Sequence, residues 1–126
     1  MKKSDKVGLT KLELRIMQVI WKFGDSTVTS VQEKLEPALA YTTVQTMLNI
    51  LERKGKLRRT LQGRAYVYSP TLTEAKALGQ GVRDLIDRMF GGSTEELVMS
   101  LLQNHHIDAD TLAELTKKFE EEAGDL

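Results

Sequence analysis

The stretch of sequence that decides the fold is TTVQTMLNILERKGKLRRTLQGRAYVYSP, from Thr42 to Pro70. Its first half has apolar residues at helical spacing. Its second half has two short alternating runs around Gln62 and Gly63, a pattern typical of a tight β-hairpin. Six Lys or Arg residues lie between Arg53 and Arg64. A helix with a polar face followed by a cationic hairpin is a combination that suits the surface of a DNA duplex.

The helix in this stretch is predicted to run from about Tyr41 to Lys54 and to end at Gly55. Its buried face is predicted to consist of Val44, Met47, Leu48 and Leu51. At 100° per residue, Thr42, Thr46, Asn49 and Arg53 lie on the side opposite Val44, and Thr43 and Gln45 flank them. Polar side chains on that side are free to meet base edges in a major groove.

Two shorter helices are predicted upstream. Thr10 and Glu13 have the spacing of a capping box, and Gly24 is a suitable end for the helix that follows. The apolar stripe of this first helix is predicted to contain Leu12, Ile16, Val19, Ile20 and Phe23.

The second helix is shorter and is predicted to end before Pro37. Thr29 and Gln32 have the spacing of its capping box. Val28 is assigned to the preceding connection as a candidate strand residue. Three helices followed by a hairpin are the order of a winged helix-turn-helix.

The DNA contacts predicted from this arrangement come from the third helix and the hairpin, where Arg58, Arg59 and Arg64 would meet phosphates. Each of these residues also has a purely structural explanation. Thr42 and Thr43 could cap the helix, and Tyr66 and Tyr68 could be packing residues of the strand. The arginines could form a solvated strand edge that discourages aggregation. The predicted DNA-binding residues are Thr42, Thr43, Gln45, Thr46, Asn49, Arg53, Arg58, Arg64 and Tyr66.

The second half of the chain is predicted to be helical, so the protein is mostly α. We predict a winged-helix DNA-binding domain at residues 1–70 and a helical dimerisation region at 71–126. Helix starts are indicated at Thr73, Ser93 and Asp108. Gly79 and Gly81 lie inside the first of these helices, where glycine often permits close approach of another backbone. The region is too small to bury its apolar faces alone, which favours a twofold partner. The predicted dimerisation residues are Leu78, Val82, Leu85, Ile86, Met89, Leu97, Leu101, Leu112, Leu115 and Phe119.

The net charge of zero conceals a division between the two halves. Residues 1–69 contain 13 Lys and Arg against 6 Asp and Glu, a net charge of +7, whereas residues 70–126 contain 5 against 12, a net charge of −7. A basic half suits a polyanion and an acidic half avoids it.

Composition excludes several classes of protein. The chain has no cysteine, which excludes disulfides and thiolate metal sites and favours the cytoplasm. No apolar run is long enough to span a bilayer, so membrane insertion is not expected, and the basic N-terminus MKKSDKVG has no apolar stretch after it as a secretory signal would.

We find no catalytic constellation, and no cofactor or metal is predicted. His105 and His106 lie close to Asp108 and Asp110, but adjacent histidines in a polar linker are usually solvated. An alternative function is a protein-interaction adaptor that uses the winged-helix fold without binding DNA.

Several segments resemble the penicillinase and methicillin-resistance repressor family of the BlaI/MecI type. They are LTKLELRIMQVIW (9–21), YTTVQTMLNILERKGKLRR (41–59), GRAYVYSP (63–70) and MFGGSTEELV (89–98). The resemblance implies a homodimeric repressor that binds inverted-repeat operators, usually near resistance or stress genes. It also implies recognition-helix contacts by Thr42, Thr43, Gln45 and Thr46, and wing contacts by Arg64 and Tyr66.

The chain departs from the family pattern at two points. The best-known members are cut at an Asn-Phe bond by a protease that a sensor activates, which makes a membrane sensor-protease an implied partner. The matching pair here is Ser100-Leu101. The copper-responsive branch carries clustered cysteines near its C-terminus, and this chain has none.

Overall fold

The computed structural model describes residues 8–124 of the 126-residue chain. The prediction about a secretory signal concerns mainly residues 1–7, which lie outside this range. In chain order, the described elements are α1 (Lys11–Phe23), α2 (Val28–Lys34), α3 (Tyr41–Arg53), β1 (Leu57–Gln62), β2 (Ala65–Pro70), α4 (Glu74–Met89), α5 (Thr94–Gln103) and α6 (Ala109–Gly124). This order is a winged helix followed by helices, and the predicted fold class is confirmed.

Helix α1 begins at the predicted capping box. The Glu13 N–H donates to Thr10 Oγ1 (3.1 Å), and the Thr10 N–H donates to Glu13 Oε1 (2.7 Å). The helix ends at Gly24, whose φ of 85° is in the region that favours glycine. Phe23 was predicted to lie in the buried stripe, but its side chain is exposed.

Helix α2 starts earlier than its sequence indicates. Its N-cap is Thr27, whose side chain accepts from the Ser30 N–H at 3.1 Å, so the predicted cap at Thr29 is wrong. Val28 belongs to the helix and not to a strand. The extended residue is Ser26, which exchanges two backbone hydrogen bonds with Tyr68 of β2 (2.8 and 3.1 Å). This bridge fixes the chain in extended form just before α2.

The core of the winged helix draws on all three N-terminal helices and on the base of the hairpin. Helical periodicity predicted its members from α1 and α3 except Met17, which is fully buried. Trp21 packs against this core, and its Nε1 donates to the Leu72 carbonyl at 2.8 Å. The buried cluster comprises Ile16, Met17, Val19, Ile20, Val28, Val31, Leu35, Val44, Leu48, Leu51, Leu57 and Tyr68.

The hairpin formed by β1 and β2, which we call the wing, is antiparallel and turns one residue later than predicted. Gln62 pairs with Ala65, so the two loop residues are Gly63 and Arg64 rather than Gln62 and Gly63. Gly63 has a φ of 64°, which a two-residue hairpin turn requires and glycine supplies without strain. Arg64 therefore stands in the turn itself.

The described residues form two compact units, and the boundary between them falls between Val82 and Arg83, inside α4. The functional division of the chain at residue 70 stays a prediction, because compactness does not show what either part does. The helices α4, α5 and α6 begin at Glu74, Thr94 and Ala109, each directly after the residue at which a helix start was predicted. No helix in residues 8–124 has the length and apolar character needed to cross a membrane.

The two glycines inside α4 are not explained by packing among residues 8–124. Within that range, a Cβ atom built at Gly79 or at Gly81 would meet nothing closer than 4 Å. The close approach of another backbone, which the sequence indicated, is therefore not made by the described part of the chain.

Helix α5 ends in an arrangement that normally uses glycine. The His106 N–H donates to the Leu101 carbonyl (2.9 Å) and the His105 N–H to the Leu102 carbonyl (3.2 Å), which are the two bonds of a Schellman motif. The residue that turns the chain is His105, with a φ of 58°. A side chain with a Cβ atom is strained in this conformation.

Replacing His105 by Gly is expected to raise the free energy of unfolding by about 1 kcal/mol, because glycine adopts this conformation without a steric cost. Urea denaturation of the two proteins would measure the difference. His106→Gly is the matched control. His106 has no positive φ, so its replacement should not stabilise the protein. Equal effects of the two substitutions would contradict this explanation.

Candidate nucleic-acid interface

Helix α3 presents a polar face to solvent. Thr42, Gln45, Thr46 and Arg53 are exposed and Thr43 is half-buried, while Val44, Leu48 and Leu51 on the other side are buried. Within residues 8–124 no hydrogen bond or ion pair is formed by the side chains of Thr42, Thr43, Gln45, Thr46 and Arg53. Their donors and acceptors are therefore available to an external partner.

The two threonines at the start of α3 are not helix caps. The N-cap is Ala40, which has no side chain that could accept a hydrogen bond, and Thr42 and Thr43 lie inside the helix. The capping alternative that the sequence left open is thus removed. A side-chain hydroxyl in the first turn of a helix, unused by the helix itself, is well placed to donate to a phosphate or base.

Asn49 departs from the prediction that it belongs to the open polar face. It is half-buried, and its Oδ1 accepts a hydrogen bond from the Tyr68 hydroxyl at 3.0 Å. The reason is tertiary: the buried Tyr68 of β2 reaches Asn49 with its hydroxyl. Asn49 is therefore a link between α3 and the wing, and we leave it out of the proposed DNA contacts.

The wing has two faces that differ in their contacts. Residues paired across the strands share a face, so Arg59, Leu61, Tyr66 and Tyr68 lie together. We call this the Tyr68 face. The guanidinium of Arg59 stacks over the Tyr66 ring, 4.3 Å from its centroid. Arg58 alternates with Arg59 and lies on the opposite face.

The cationic side chains of the wing are exposed and unpaired by acids. Arg58, Arg59 and Arg64 form no ion pair with any described residue, and Arg64 occupies the outer end of the hairpin. Because unpaired arginines at this density repel one another, the wing is electrostatically suited to a polyanion.

An ion pair fixes the far end of α3 to α1. Lys54 Nζ lies 2.9 Å from Glu13 Oε2, and Glu13 is buried. Burial raises the pKa of the Glu13 carboxyl, but hydrogen bonds from the Thr10 N–H and from Lys54, together with the Lys54 charge, outweigh it. The pKa of Glu13 therefore lies below its ordinary value. Lys54 consequently has a structural partner, and its charge is not free for DNA.

The residues predicted for dimerisation divide into three groups. Leu97, Leu101 and Leu112 are half-buried within the chain. Ile86 is buried in its own chain with 4% exposure, so it offers little surface to a partner. The others are exposed: Leu78, Val82, Leu85, Met89, Leu115 and Phe119.

The exposed residues of α4 form a regular pattern. Leu78, Val82, Leu85 and Met89 are separated by four, three and four positions, the spacing of a coiled-coil seam. Ile86 follows Leu85 directly and points about 100° away, which explains why it falls outside this seam. Such a seam in water is typical of a surface that another helix covers.

One residue of the wing, Leu61, was not predicted from the sequence. Leu61 pairs with Tyr66 on the Tyr68 face and is 58% exposed. The sequence contained one signal for it: a large aliphatic residue lies near the turn of an exposed hairpin, where a polar residue is expected.

No group of three or more His, Cys, Asp or Glu that could hold a metal ion is found between residues 8 and 124.

Comparison with known proteins places this geometry in a family. The sequence profile described as penicillinase repressor matches residues 9–121. The chain belongs to the penicillinase repressor family. The resemblance noted from the sequence motifs is thereby confirmed.

Individual relatives agree with the family assignment. The penicillinase repressor of Bacillus licheniformis is 29% identical to this family member over 115 residues, which cover 90% of each chain. The solution structure of the DNA-binding domain of the repressor BlaI superposes with a TM-score of 0.51 and 35% identity, covering 60% of this chain and 93% of that domain. The YusO protein of Bacillus subtilis shares the fold at 20% identity, with a TM-score of 0.52 over 88% of this chain and 77% of its own.

Proposed function

We propose that this member of the penicillinase repressor family is a sequence-specific DNA-binding transcriptional repressor that acts as a homodimer on inverted-repeat operators. The similar Bacillus licheniformis protein is named as a penicillinase repressor, and the similar BlaI structure is described as the DNA-binding domain of a repressor. The observation that carries the proposal is the joined surface of α3 and the wing. Available polar groups of the helix and unpaired arginines of the hairpin belong to the same compact unit, and the Tyr68–Asn49 hydrogen bond links the two elements.

In this proposal α3 enters the major groove. Gln45 is suited to a two-point contact with adenine, and Thr42 and Thr46 can donate hydrogen bonds and touch a thymine methyl group. Arg53 and the wing arginines contact phosphates, which fix the register without reading sequence. Arg64, at the end of the hairpin, is placed to reach the adjacent minor groove.

The homodimer is supported by the apolar side chains that one chain leaves exposed in its C-terminal helices. A twofold partner would cover the α4 seam together with Leu115 and Phe119. Two copies of α3 would then read half-sites separated by about 10–10.5 base pairs or a multiple of that spacing. The predicted cytoplasmic location belongs to the same proposal, because a repressor must share a compartment with its operator.

A membrane sensor-protease is included only as the partner that family resemblance implies. The corresponding bond, Ser100-Leu101, lies inside α5, and both residues are half-buried. A protease binds its substrate in extended form, so cleavage here would require α5 to open first. Relief of repression would then depend on the local stability of this helix.

The proposal is tested by the salt dependence of binding to a duplex selected from random sequences. Several phosphate contacts should make log K fall steeply with log salt, by about 0.9 for each phosphate. Arg64→Ala should weaken binding to all sequences and reduce the log–log slope by about 0.9, the contribution of one phosphate contact. Arg88→Ala is the control, because Arg88 is paired with Asp84 on α4.

Two results would count against this function. If no sequence is enriched and no duplex is retained even at about 50 mM salt, where phosphate contacts are strong, the adaptor alternative is favoured. If Arg64→Ala and Arg88→Ala leave the same slope, the wing does not contact phosphate.

A further inference from the structure

A pair of large apolar side chains stands exposed near the end of the wing. Leu61 and Tyr66 are paired across the strands, and they are 58% and 42% exposed. Only the next pair, Gln62 and Ala65, separates them from the turn. Neither residue belongs to the buried core. Burying exposed apolar surface is favourable in free energy, so this pair favours contact with a partner that covers it.

The direction of this pair follows from its neighbours. Leu61 and Tyr66 share a face with Tyr68, which is bonded to the half-buried Asn49 of α3. The opposite face of the wing carries Arg58 and Thr60. The apolar pair therefore lies on the same side of the hairpin as the link to α3, and it continues outward from that link toward Arg64.

The charges around the pair restrict what can cover it. The Arg59 guanidinium stacks over Tyr66, and Arg64 occupies the turn, without an acidic partner among the described residues. A partner that covers the pair must offer apolar surface to Leu61 and Tyr66 and negative charge to Arg59 and Arg64. The minor groove of a duplex does so, because deoxyribose and base edges form its walls and phosphates line its rims.

We infer that Leu61 enters the minor groove beside Arg64 as an apolar wedge, supported by Tyr66, while Arg59 contacts the phosphate rim. This inference rests on the proposed DNA-binding function. An apolar side chain in the groove favours steps that open easily, so the wing would read the deformability of the duplex and not a base pattern. The expected preference is for a flexible pyrimidine–purine step, such as TA, beneath the wing.

The step beneath the wing can be located directly. Because the chain has no cysteine, a Gln62→Cys variant carries a single thiol for an iron chelate that cleaves nearby sugars. Operators with TA or AA at the located step are then compared for the wild type and for Leu61→Thr.

Leu61→Thr introduces a β-branched residue suited to the strand and removes most of the apolar volume. It should weaken binding to the TA operator by about tenfold and leave the salt slope unchanged, because an apolar contact releases no counterions. It should also abolish the preference for TA over AA. A hairpin that had merely collapsed would lose arginine contacts as well, and its slope would fall. Arg59→Gln should change the slope by about one phosphate while keeping the TA preference.

The double variant Thr60→Leu/Leu61→Thr is the matched control. It retains the composition of the strand but moves the leucine to the opposite face, so it should behave like Leu61→Thr. Restoration of the TA preference by this exchange would overturn the inference, as would a Leu61→Thr protein with wild-type preference. If the wild type binds no duplex at all, the proposed function itself fails.

Discussion

The Leu85→Asp variant is expected to be monomeric and to bind its operator at least about a hundredfold more weakly than the wild type, because an unpaired carboxylate buried in an interface costs several kcal/mol. Leu85 is 44% exposed in the single chain and lies in the middle of the α4 seam. A monomer can occupy only one half-site at a time. The second half-site therefore no longer adds to the affinity.

Sedimentation velocity and titration of full and half operators would measure the two effects. The full operator should lose its advantage, whereas affinity for a half operator should change little. Thr94→Asp is the control, since it adds the same charge at an exposed position in the first turn of α5. A Leu85→Asp protein that sediments as the wild-type dimer would refute the α4 interface, and a monomeric wild type would refute the homodimer.

The Gln45→Ala variant is expected to lose discrimination at one base pair by about 10- to 100-fold, since a two-point contact to a base contributes about 1–3 kcal/mol of discrimination. Gln45 is exposed on α3 and makes no hydrogen bond within the described residues. Its removal should leave binding to unrelated sequences nearly unchanged, because phosphate contacts do not depend on it.

Each protein would be used to select binding sites from a random library. The change would appear as a weaker base preference at one position of each half-site. Arg53→Gln serves as the comparison on the same helix. It should weaken binding to all sequences alike and reduce the salt slope. Indistinguishable sequence preferences for Gln45→Ala and the wild type would exclude base reading by Gln45.

The parts of the fold that sequence alone predicted are those governed by local rules. The capping box of Thr10 and Glu13 involves residues three apart, and the distant ion pair of Glu13 with Lys54 leaves both of its hydrogen bonds in place. The hydrophobic spacing of α3 likewise predicted the buried Val44, Leu48 and Leu51 correctly. In both cases the information that determines the structure lies within a few residues.

The errors arose where a local pattern allowed two answers and a distant contact decided between them. Thr27 and Thr29 are both acceptable helix caps, and the Ser26–Tyr68 bridge selects Thr27. The turn of the wing could begin at Gln62 or Gly63, and strand pairing selects Gly63.

The same limit applies to the candidate site. Helical periodicity placed Asn49 on the open side of α3, but it contains no information about the distant Tyr68 hydroxyl that bonds to Asn49. Leu61 was overlooked for the opposite reason, since an exposed leucine is unremarkable until the register shows which side chains share its face.

The hydrogen bond from Trp21 to the Leu72 carbonyl gives the molecule a natural optical reporter. Trp21 is the single tryptophan of the chain, and Leu72 lies between the end of β2 and the start of α4. Indole emission depends on the polarity around the ring and on the partner of its N–H. Its wavelength therefore records whether the segment that leaves the wing stays attached to α1, without any dye being introduced.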